Sequence, residues 1–394
     1  MGLGAQMVAV AIGWQVYEID RNPFHLGLVG LAEFLPLPLL ALPAGHLADR
    51  LPRRLVFVGE LALLMVVAVL LVVVTLAGAS TLWPFLGLAT VLGVASAIGS
   101  PASRALPPTL VPTEILAAAL ALRSTAVQGA VVVGPAIGGV LFAVRAELVY
   151  GASVLLFAAA LVCVLALREP RVPRLRGDEA GLESVLQGIA FIRRTPVLLG
   201  AISLDLVAVL LGGAVALLPL FARDVLHVGP EGLGLLRSAP AVGALVAGIL
   251  LTRRPLRKRV GRRLLVVVGV FGASMLVFGL SRSFALSLFA LAVSGFADMI
   301  SMNIRSTIVA MATPEELLGR VNAVEMVFIS ASNELGAFES GAAAALIGAV
   351  PAVVIGGALT VVAALAWPLL FRELDHVDRF ETLRPEAIPS LADP

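Results

Sequence analysis

The chain has 394 residues, of which 59% belong to the apolar set AVILMFWYC and only 14% are charged. An ordinary soluble domain has roughly 25% charged residues. This composition excludes a water-soluble globular protein, whose surface needs more polar side chains, and it also excludes a disordered or collagen-like chain. The single cysteine, Cys163, excludes an internal disulfide and a cysteine metal cluster. We therefore predict an all-α integral membrane protein.

The apolar residues are concentrated in twelve runs, which form two groups of six separated by a polar stretch. A helix that crosses a hydrocarbon core of ~30 Å needs about 20 mostly apolar residues. In chain order the predicted spans are Gly2–Tyr17, Leu26–Ala44, Leu55–Leu76, Leu82–Ser100, Leu116–Val144, Val149–Leu167, Val197–Leu218, Leu233–Leu251, Leu264–Leu280, Phe284–Ala310, Val321–Ile347 and Val353–Phe371.

Four segments follow from these runs. Residues 1–167 form an N-terminal half and 197–371 a C-terminal half, while 372–394 form a polar tail. The connection 168–196 is basic and contains the amphipathic stretch Leu182–Arg194, which we expect to lie along the membrane surface. The first span is short for a crossing, which indicates that the natural start lies upstream or that the chain is truncated.

The basic residues predict the orientation in the membrane. Of the 28 Lys and Arg residues, 21 lie in the loops after the even-numbered spans and in the tail, and five lie on the opposite side. Cytoplasmic loops carry an excess of Lys and Arg. We therefore expect the central connection and both termini to be cytoplasmic.

The two halves also resemble each other. Arg104 and Glu114 recur as Arg305 and Glu315, at an offset of 201 residues and with the same spacing. Transporters use parallel six-helix repeats to build a substrate site between two rocking halves. This pattern favours two six-helix pseudo-repeats around a central cavity, although chance similarity between apolar sequences is the alternative.

The loop after the second span carries the motif Gly45-His-Leu-Ala-Asp49-Arg50-Leu-Pro52-Arg53-Arg54. It resembles the signature G-x-x-x-D-R-x-G-R-R of the major facilitator superfamily, with Pro52 in place of a glycine. The resemblance covers nearly the whole chain and implies the major facilitator fold. It further implies a cytoplasmic latch that stabilises the outward-facing state. The alternative is that these arginines only anchor the topology. The predicted latch residues are Gly45, Asp49, Arg50, Arg53 and Arg54.

Span 5 contains a glycine- and proline-rich stretch that resembles the antiporter motif of the same superfamily, which accompanies export. Proline removes a backbone donor, and glycine allows close helix packing. Ordinary small-residue packing is the alternative. The predicted bend residues are Gly134, Pro135, Gly138 and Gly139.

The segment Thr313–Asn322 resembles the loop before span 11 in the branch that contains the enterobactin exporter and related macrolide and drug exporters. One departure is that span 4 contains no charged residue, whereas many proton-coupled drug antiporters carry an arginine there. If protons are coupled, another residue must carry them.

Ionisable residues inside spans are the natural candidates, since each is costly in the bilayer. A buried carboxylate can bind and release protons, and the alternative is a structural carboxylate bonded to a neighbouring helix. We expect Glu60 of span 3 to be peripheral and to extend to the cytoplasmic interface. The candidate proton or substrate residues are Glu33, Asp205, Asp298, Arg305, Glu334 and Glu339, and the possible gate residues are Arg123 and Glu325.

We therefore predict a secondary active transporter that exports a small organic molecule, such as a siderophore-like or drug-like amphiphile, in exchange for protons. An importer or facilitator on the same fold, or a non-transporting receptor or scaffold, remains an alternative. No phosphate-binding loop motif, nucleophile–base pair or metal-ligand spacing is present, so we expect neither an enzyme, nor ATP coupling, nor a cofactor. The expected setting is the bacterial inner membrane, with the lipid bilayer, substrate and protons as partners, no nucleic acid, and a monomeric state.

Overall fold

The computed structural model describes residues 1–40, 51–106, 110–167, 182–254, 256 and 258–383. Within these ranges the regular structure is helical, without strands. The helices before the central connection are α1 (Gly2–Asp20), α2 (Pro23–Phe34), α3 (Arg53–Leu76), α4 (Trp83–Ala105), α5 (Thr113–Val144) and α6 (Ala146–Ala166). Those after it are α7 (Leu182–Arg194), α8 (Pro196–Gly212), α9 (Pro230–Arg253), α10 (Val260–Leu280), α11 (Phe284–Ala312), α12 (Glu315–Ile347) and α13 (Ala349–Leu370).

Helices occur in each of the twelve predicted spans. Within the described ranges, ten helices are long and apolar enough to cross a membrane. The two predicted spans outside that set are α1 and α12, and α12 carries several charged side chains along its length. The membrane-spanning character of these two helices therefore stays a prediction.

The chain divides into two compact units. The first comprises Met1–Gly177 together with Ala216–Ser238, and the second comprises Asp178–Val215 together with Ala239–Pro394. The division falls within the seventh predicted span. There α8 ends at Gly212, and the chain continues as a 3-10 turn, a short α-helical turn and then a π-helical turn. Such irregular turns often mark functional positions in helices.

The first unit is held together by apolar packing and a few partly buried polar links. Helix α3 packs against both α4 and α6, and α1 packs against α5 and α6. The Tyr150 hydroxyl of α6 donates to Gln15 Oε1 of α1 at 2.8 Å, and Gln15 Nε2 donates to Thr75 Oγ1 of α3 at 3.1 Å. Because a buried polar group is costly without a partner, these links fix which helices lie side by side.

The second unit is built around α10, which packs against α11 and α13. Trp367 of α13 donates its indole N–H to the Gly200 carbonyl of α8 at 2.9 Å. Helix α7 has the predicted range, and its Gly188 lies against the backbone of Arg320 in α12. Part of the surface of α7 is thus buried against α12.

The expectation for Glu60 is wrong. Its side chain does not reach an interface but is buried, with 4% of its surface exposed, against Gly99 of α4. The absence of a side chain at Gly99 leaves the room that the carboxyl group fills. Glu60 Oε2 is buried without a hydrogen-bond partner, which the hydropathy of its flanking sequence gives no means to anticipate.

Candidate functional site

The second unit contains a buried ion pair between two of the predicted candidates. Arg305 Nη1 of α11 lies 2.7 Å from Asp205 Oδ2 of α8, and the two side chains are 4% and 8% exposed. A buried ion pair is expensive to desolvate, and losing one partner leaves an uncompensated charge. An intramembrane pair of this kind is therefore a functional-site hypothesis by default.

A small cavity lies beside this pair. Its volume open to the centre of a water molecule is ≈ 10 Å³, which is close to the least that holds one water. Asp205, Asp298 and Ser301 line it together with apolar side chains of α8, α10 and α11, such as Phe271 and Val268. The structure therefore brings two predicted carboxylates, one of them bound to Arg305, to the same cavity.

Asp205 and Asp298 differ in exposure although they share the cavity. Asp205 is buried, whereas Asp298 is exposed. Ser301 Oγ and Arg305 Nε are buried and have no hydrogen-bond partner. The cavity thus joins an accessible carboxylate to a buried one, with an unsatisfied hydroxyl on its wall.

One carboxylate of α12 interacts with this pair. Glu325 is half-buried and interacts electrostatically with Arg305 and Asp205. Glu334 and Glu339 are also half-buried, and neither lines the cavity beside Asp205.

Near Glu339, the Ser340 hydroxyl donates to the Gly213 carbonyl at 2.9 Å. The Ser332 hydroxyl donates to the Phe328 carbonyl of its own helix at 2.6 Å. The polar residues of α12 thus combine helix-internal bonds with one link to the end of α8, and only Glu325 belongs to the cluster around Arg305.

The remaining candidates of the first unit are Glu33 and Arg123. Glu33 of α2 is half-buried, and its backbone lies against Gly93 of α4. Arg123 of α5 is half-buried. Their assignment to substrate binding or to a gate stays a prediction.

The predicted latch falls partly outside the described residues, since Gly45, Asp49 and Arg50 lie in the range 41–50. At the start of α3, Arg54 Nε donates to the Val164 carbonyl at 2.9 Å, and its Nη2 donates to the Leu165 carbonyl. These carbonyls belong to the last turn of α6. A cation there satisfies acceptors that the helix leaves free, so Arg54 ties α3 to α6.

The predicted bend in span 5 lies within α5, which remains a continuous helix with Pro135 inside it. A Cβ added to Gly134 would lie 2.6 Å from Gln6 Cβ, and one added to Gly138 would lie 3.0 Å from Met7 Cα. Both neighbours belong to α1. These two glycines therefore let α5 and α1 approach each other more closely than larger residues would allow.

Gly139 faces a different neighbour, the start of α9 in the same unit. A Cβ there would overlap with the Pro230 carbonyl oxygen and lie 3.0 Å from Gly234 Cα. Gly234 in turn faces the backbone of Pro135 and Ala136. The glycines of the predicted motif thus allow backbone-to-backbone packing on both α1 and α9.

We expect Gly139→Ala to lower the free energy of unfolding by about 1–3 kcal/mol, the usual cost of overpacking. The atoms it would strike are backbone atoms of Pro230 and Gly234, which cannot rotate away. Gly129→Ala on the same helix is the matched control, since a Cβ there meets nothing within 4 Å. Thermal unfolding in detergent measures both, and equal stability of the two variants would contradict the prediction.

Sequence reasoning missed one polar cluster, at the end of α1. The Tyr17 hydroxyl donates to Asp224 Oδ2, and Arg223 Nη1 donates to Glu18 Oε1 at 3.0 Å. The Arg223 guanidinium also lies 6.0 Å from the centre of the Trp14 ring, within cation–π range. The opposite charges at the ends of two spans were the only signal in the sequence.

Comparison with known proteins gives these features a family. A family model described as "Transmembrane secretion effector", of the major facilitator superfamily, matches residues 1–388. The chain belongs to this family. It is therefore a multi-pass membrane transporter and not an enzyme.

The curated relatives of this chain include enterobactin exporters from two bacteria. The enterobactin exporter EntS of Citrobacter koseri is 28% identical over 386 residues, which cover 93% of this chain and 88% of the relative. EntS of Escherichia coli O1:K1 is 27% identical over 334 residues, with 80% and 76% covered. The expected placement beside the enterobactin exporters is confirmed.

Solved structures agree on the fold of this family member. A bacterial homologue of the iron transporter ferroportin, in an inward-facing state, has a TM-score of 0.68 at 18% identity, with 95% of this chain and 97% of that chain covered. The nucleoside transporter NupG, as its D323A mutant, has a TM-score of 0.70 at 11% identity, with 94% and 100% covered. At these identities the likeness supports the fold alone, and the expected major facilitator fold is confirmed.

Proposed function

We propose that this transporter exports a small organic molecule from the cytoplasm by alternating access, in exchange for protons. The observation that carries the proposal is the buried pair of Asp205 and Arg305, which borders a cavity shared with Asp298. The setting is the bacterial inner membrane, with both termini in the cytoplasm. The proton-motive force drives the cycle, without a cofactor.

The charges around the cavity support proton exchange. Asp205 and Asp298 carry two negative charges when both are ionised, and Arg305 supplies one positive charge. Glu325 adds a further negative charge to this cluster. An excess charge is unfavourable where the groups are buried, so binding of a proton lowers the excess negative charge around Arg305. A proton is thus the cargo that this site is suited to take up and release.

The direction and the substrate class are supported by other observations. The curated relatives are enterobactin exporters, and the span-5 motif accompanies export in the superfamily. We propose a siderophore-like or drug-like amphiphile as substrate, transported by a monomer in the lipid bilayer. Glu33, Glu334 and Glu339 are the remaining candidates for substrate contacts.

Purified protein in proteoliposomes tests the proposal with enterobactin and the macrolide erythromycin as probes. We expect one of the probes to move against its concentration gradient when protons flow down their own gradient in the opposite direction. A protonophore should abolish this movement. Flux down the gradient only would support the facilitator, proton-coupled uptake the importer, and no flux of either probe would contradict the proposal.

Pro135→Ala tests the link between the span-5 bend and export. The substitution restores the missing backbone donor and so stiffens α5 at this position. Conformational steps set many turnover rates, and we expect the initial rate of efflux into everted vesicles to fall by about tenfold. Gly129→Ala on the same helix is the control, since a Cβ there meets nothing within 4 Å. Unchanged efflux by Pro135→Ala would remove the antiporter argument.

A further inference from the structure

We propose that Asp298 passes protons to Asp205 through a water molecule held by Ser301. This assignment rests on the proton exchange proposed above and adds the route by which the proton reaches its buried acceptor. The juxtaposition that carries it is one exposed carboxylate, one buried carboxylate and one unsatisfied hydroxyl on a single cavity.

The exposure of the two carboxylates gives the route its direction. Asp205 is buried and engaged by Arg305, so solvent protons do not reach it directly. The side chain of Asp298 is exposed, and in this proposal it is the group that takes up the proton first. It also interacts electrostatically with Asp205, so a change of charge on one is felt by the other.

The charged groups that face Asp205 come from two helices. Helix α11 contributes Asp298 and Arg305, and α12 contributes Glu325. Helix α13 has no titratable residue, and the charged residues of α10 and the last turn of α7 are exposed at helix ends, away from the cavity. Within the described residues, Arg305 is thus the counter-charge that Asp205 and Asp298 share.

The cavity is suited to a single water. Its volume of ≈ 10 Å³ is near the threshold for one molecule, and a buried water needs two to four polar partners. Asp205, Asp298 and Ser301 supply three. The Ser301 hydroxyl is buried and has no hydrogen-bond partner, and a bound water would satisfy it.

The transfer step balances without any further reactant. Protonated Asp298 gives its proton to the water oxygen, while the water gives one of its own protons to the Asp205 carboxylate. Water is regenerated, Asp298 becomes a carboxylate and Asp205 becomes neutral. The transfer leaves the total charge of the three groups unchanged, but neutral Asp205 no longer attracts Arg305 as an ion, so the two side chains can separate more easily.

Proton uptake into proteoliposomes, followed with a trapped pH dye, tests this route with the probe that the wild-type protein transports. We expect Asp298→Asn to slow proton uptake by about tenfold or more, since a positioned proton-transfer group contributes at least that much. Probe exchange at equal pH on both sides requires no net proton transfer, so it should fall less than proton uptake, and an equal loss of both would overturn the route.

Ser301→Ala is the second variant, since it keeps both carboxylates and removes only the hydroxyl that holds the water. We expect slower proton uptake, while Ser306→Ala, whose hydroxyl bonds only to Asn303 of its own helix, should match the wild type. Wild-type uptake by both Asp298→Asn and Ser301→Ala would overturn the route. Absence of any substrate-dependent proton uptake by the wild type would overturn the proposed function itself.

Discussion

Replacement of Asp205 by asparagine is expected to abolish proton-driven efflux. It also leaves the buried Arg305 charge without its counter-charge, so we expect some loss of stability as well, and efflux is compared at equal amounts of folded protein. The asparagine amide oxygen can still accept from Arg305, but it can neither bind nor release a proton in the physiological range. We expect accumulation of the probe in everted vesicles to fall to the level seen with a protonophore. Exchange of substrate at equal pH should persist, since it needs no change in the charge of the site.

Glu334→Gln is the comparison for this result, because Glu334 is another of the carboxylates that the sequence predicts as proton or substrate residues. It lies on α12 and does not line the cavity beside Asp205. We expect Asp205→Asn to have the larger effect on coupling. Wild-type pH dependence in Asp205→Asn, with loss in Glu334→Gln, would move the proton site to α12.

Arg305→Met is expected to have the largest effect on stability. The substitution removes the positive charge that faces Asp205 at 2.7 Å, and breaking a buried pair from one side costs about 3–5 kcal/mol. Thermal unfolding in detergent, followed by tryptophan fluorescence, measures this loss. Arg305→Lys keeps the charge and should lose less.

The double variant Asp205→Asn/Arg305→Met separates stability from coupling. Replacing both members of a buried ion pair by neutral groups is often close to neutral for stability. We expect the double variant to unfold at a higher temperature than Arg305→Met alone, yet to lack proton-driven efflux. A double variant that loses the sum of the two single effects would show that the residues act independently.

Several features were readable from the sequence because they depend on local composition. The spans follow from runs of apolar residues, and α7 has the bounds predicted from its amphipathic pattern. The bounds of other helices moved: α1 continues to Asp20, and α12 begins at Glu315 rather than Val321. A helix can continue through polar residues beyond the end of its apolar run. The hydropathy pattern therefore does not locate the ends of these helices.

The candidate site was readable only as separate residues. Asp205, Asp298 and Arg305 were identified because an ionisable group in a span is costly and therefore conspicuous. Their arrangement was not readable, since α8 and α11 are far apart in the chain. Hydropathy does not show which sides of two helices pack against each other. Glu60 shows the same limit, because its burial depends on the space at Gly99 of a neighbouring helix.

The sequence by itself determined that this is a membrane protein, and its motifs indicated a transporter of the major facilitator superfamily. These properties follow from free energies of transfer to lipid and from short motifs, both of which are local. The similarity of the two halves stays a prediction. The tertiary structure decided that Arg305 pairs with Asp205, that Asp298 shares their cavity, and that Glu60 is enclosed. Each of these depends on the distance between side chains on different helices, and only the packing of those helices determines that distance.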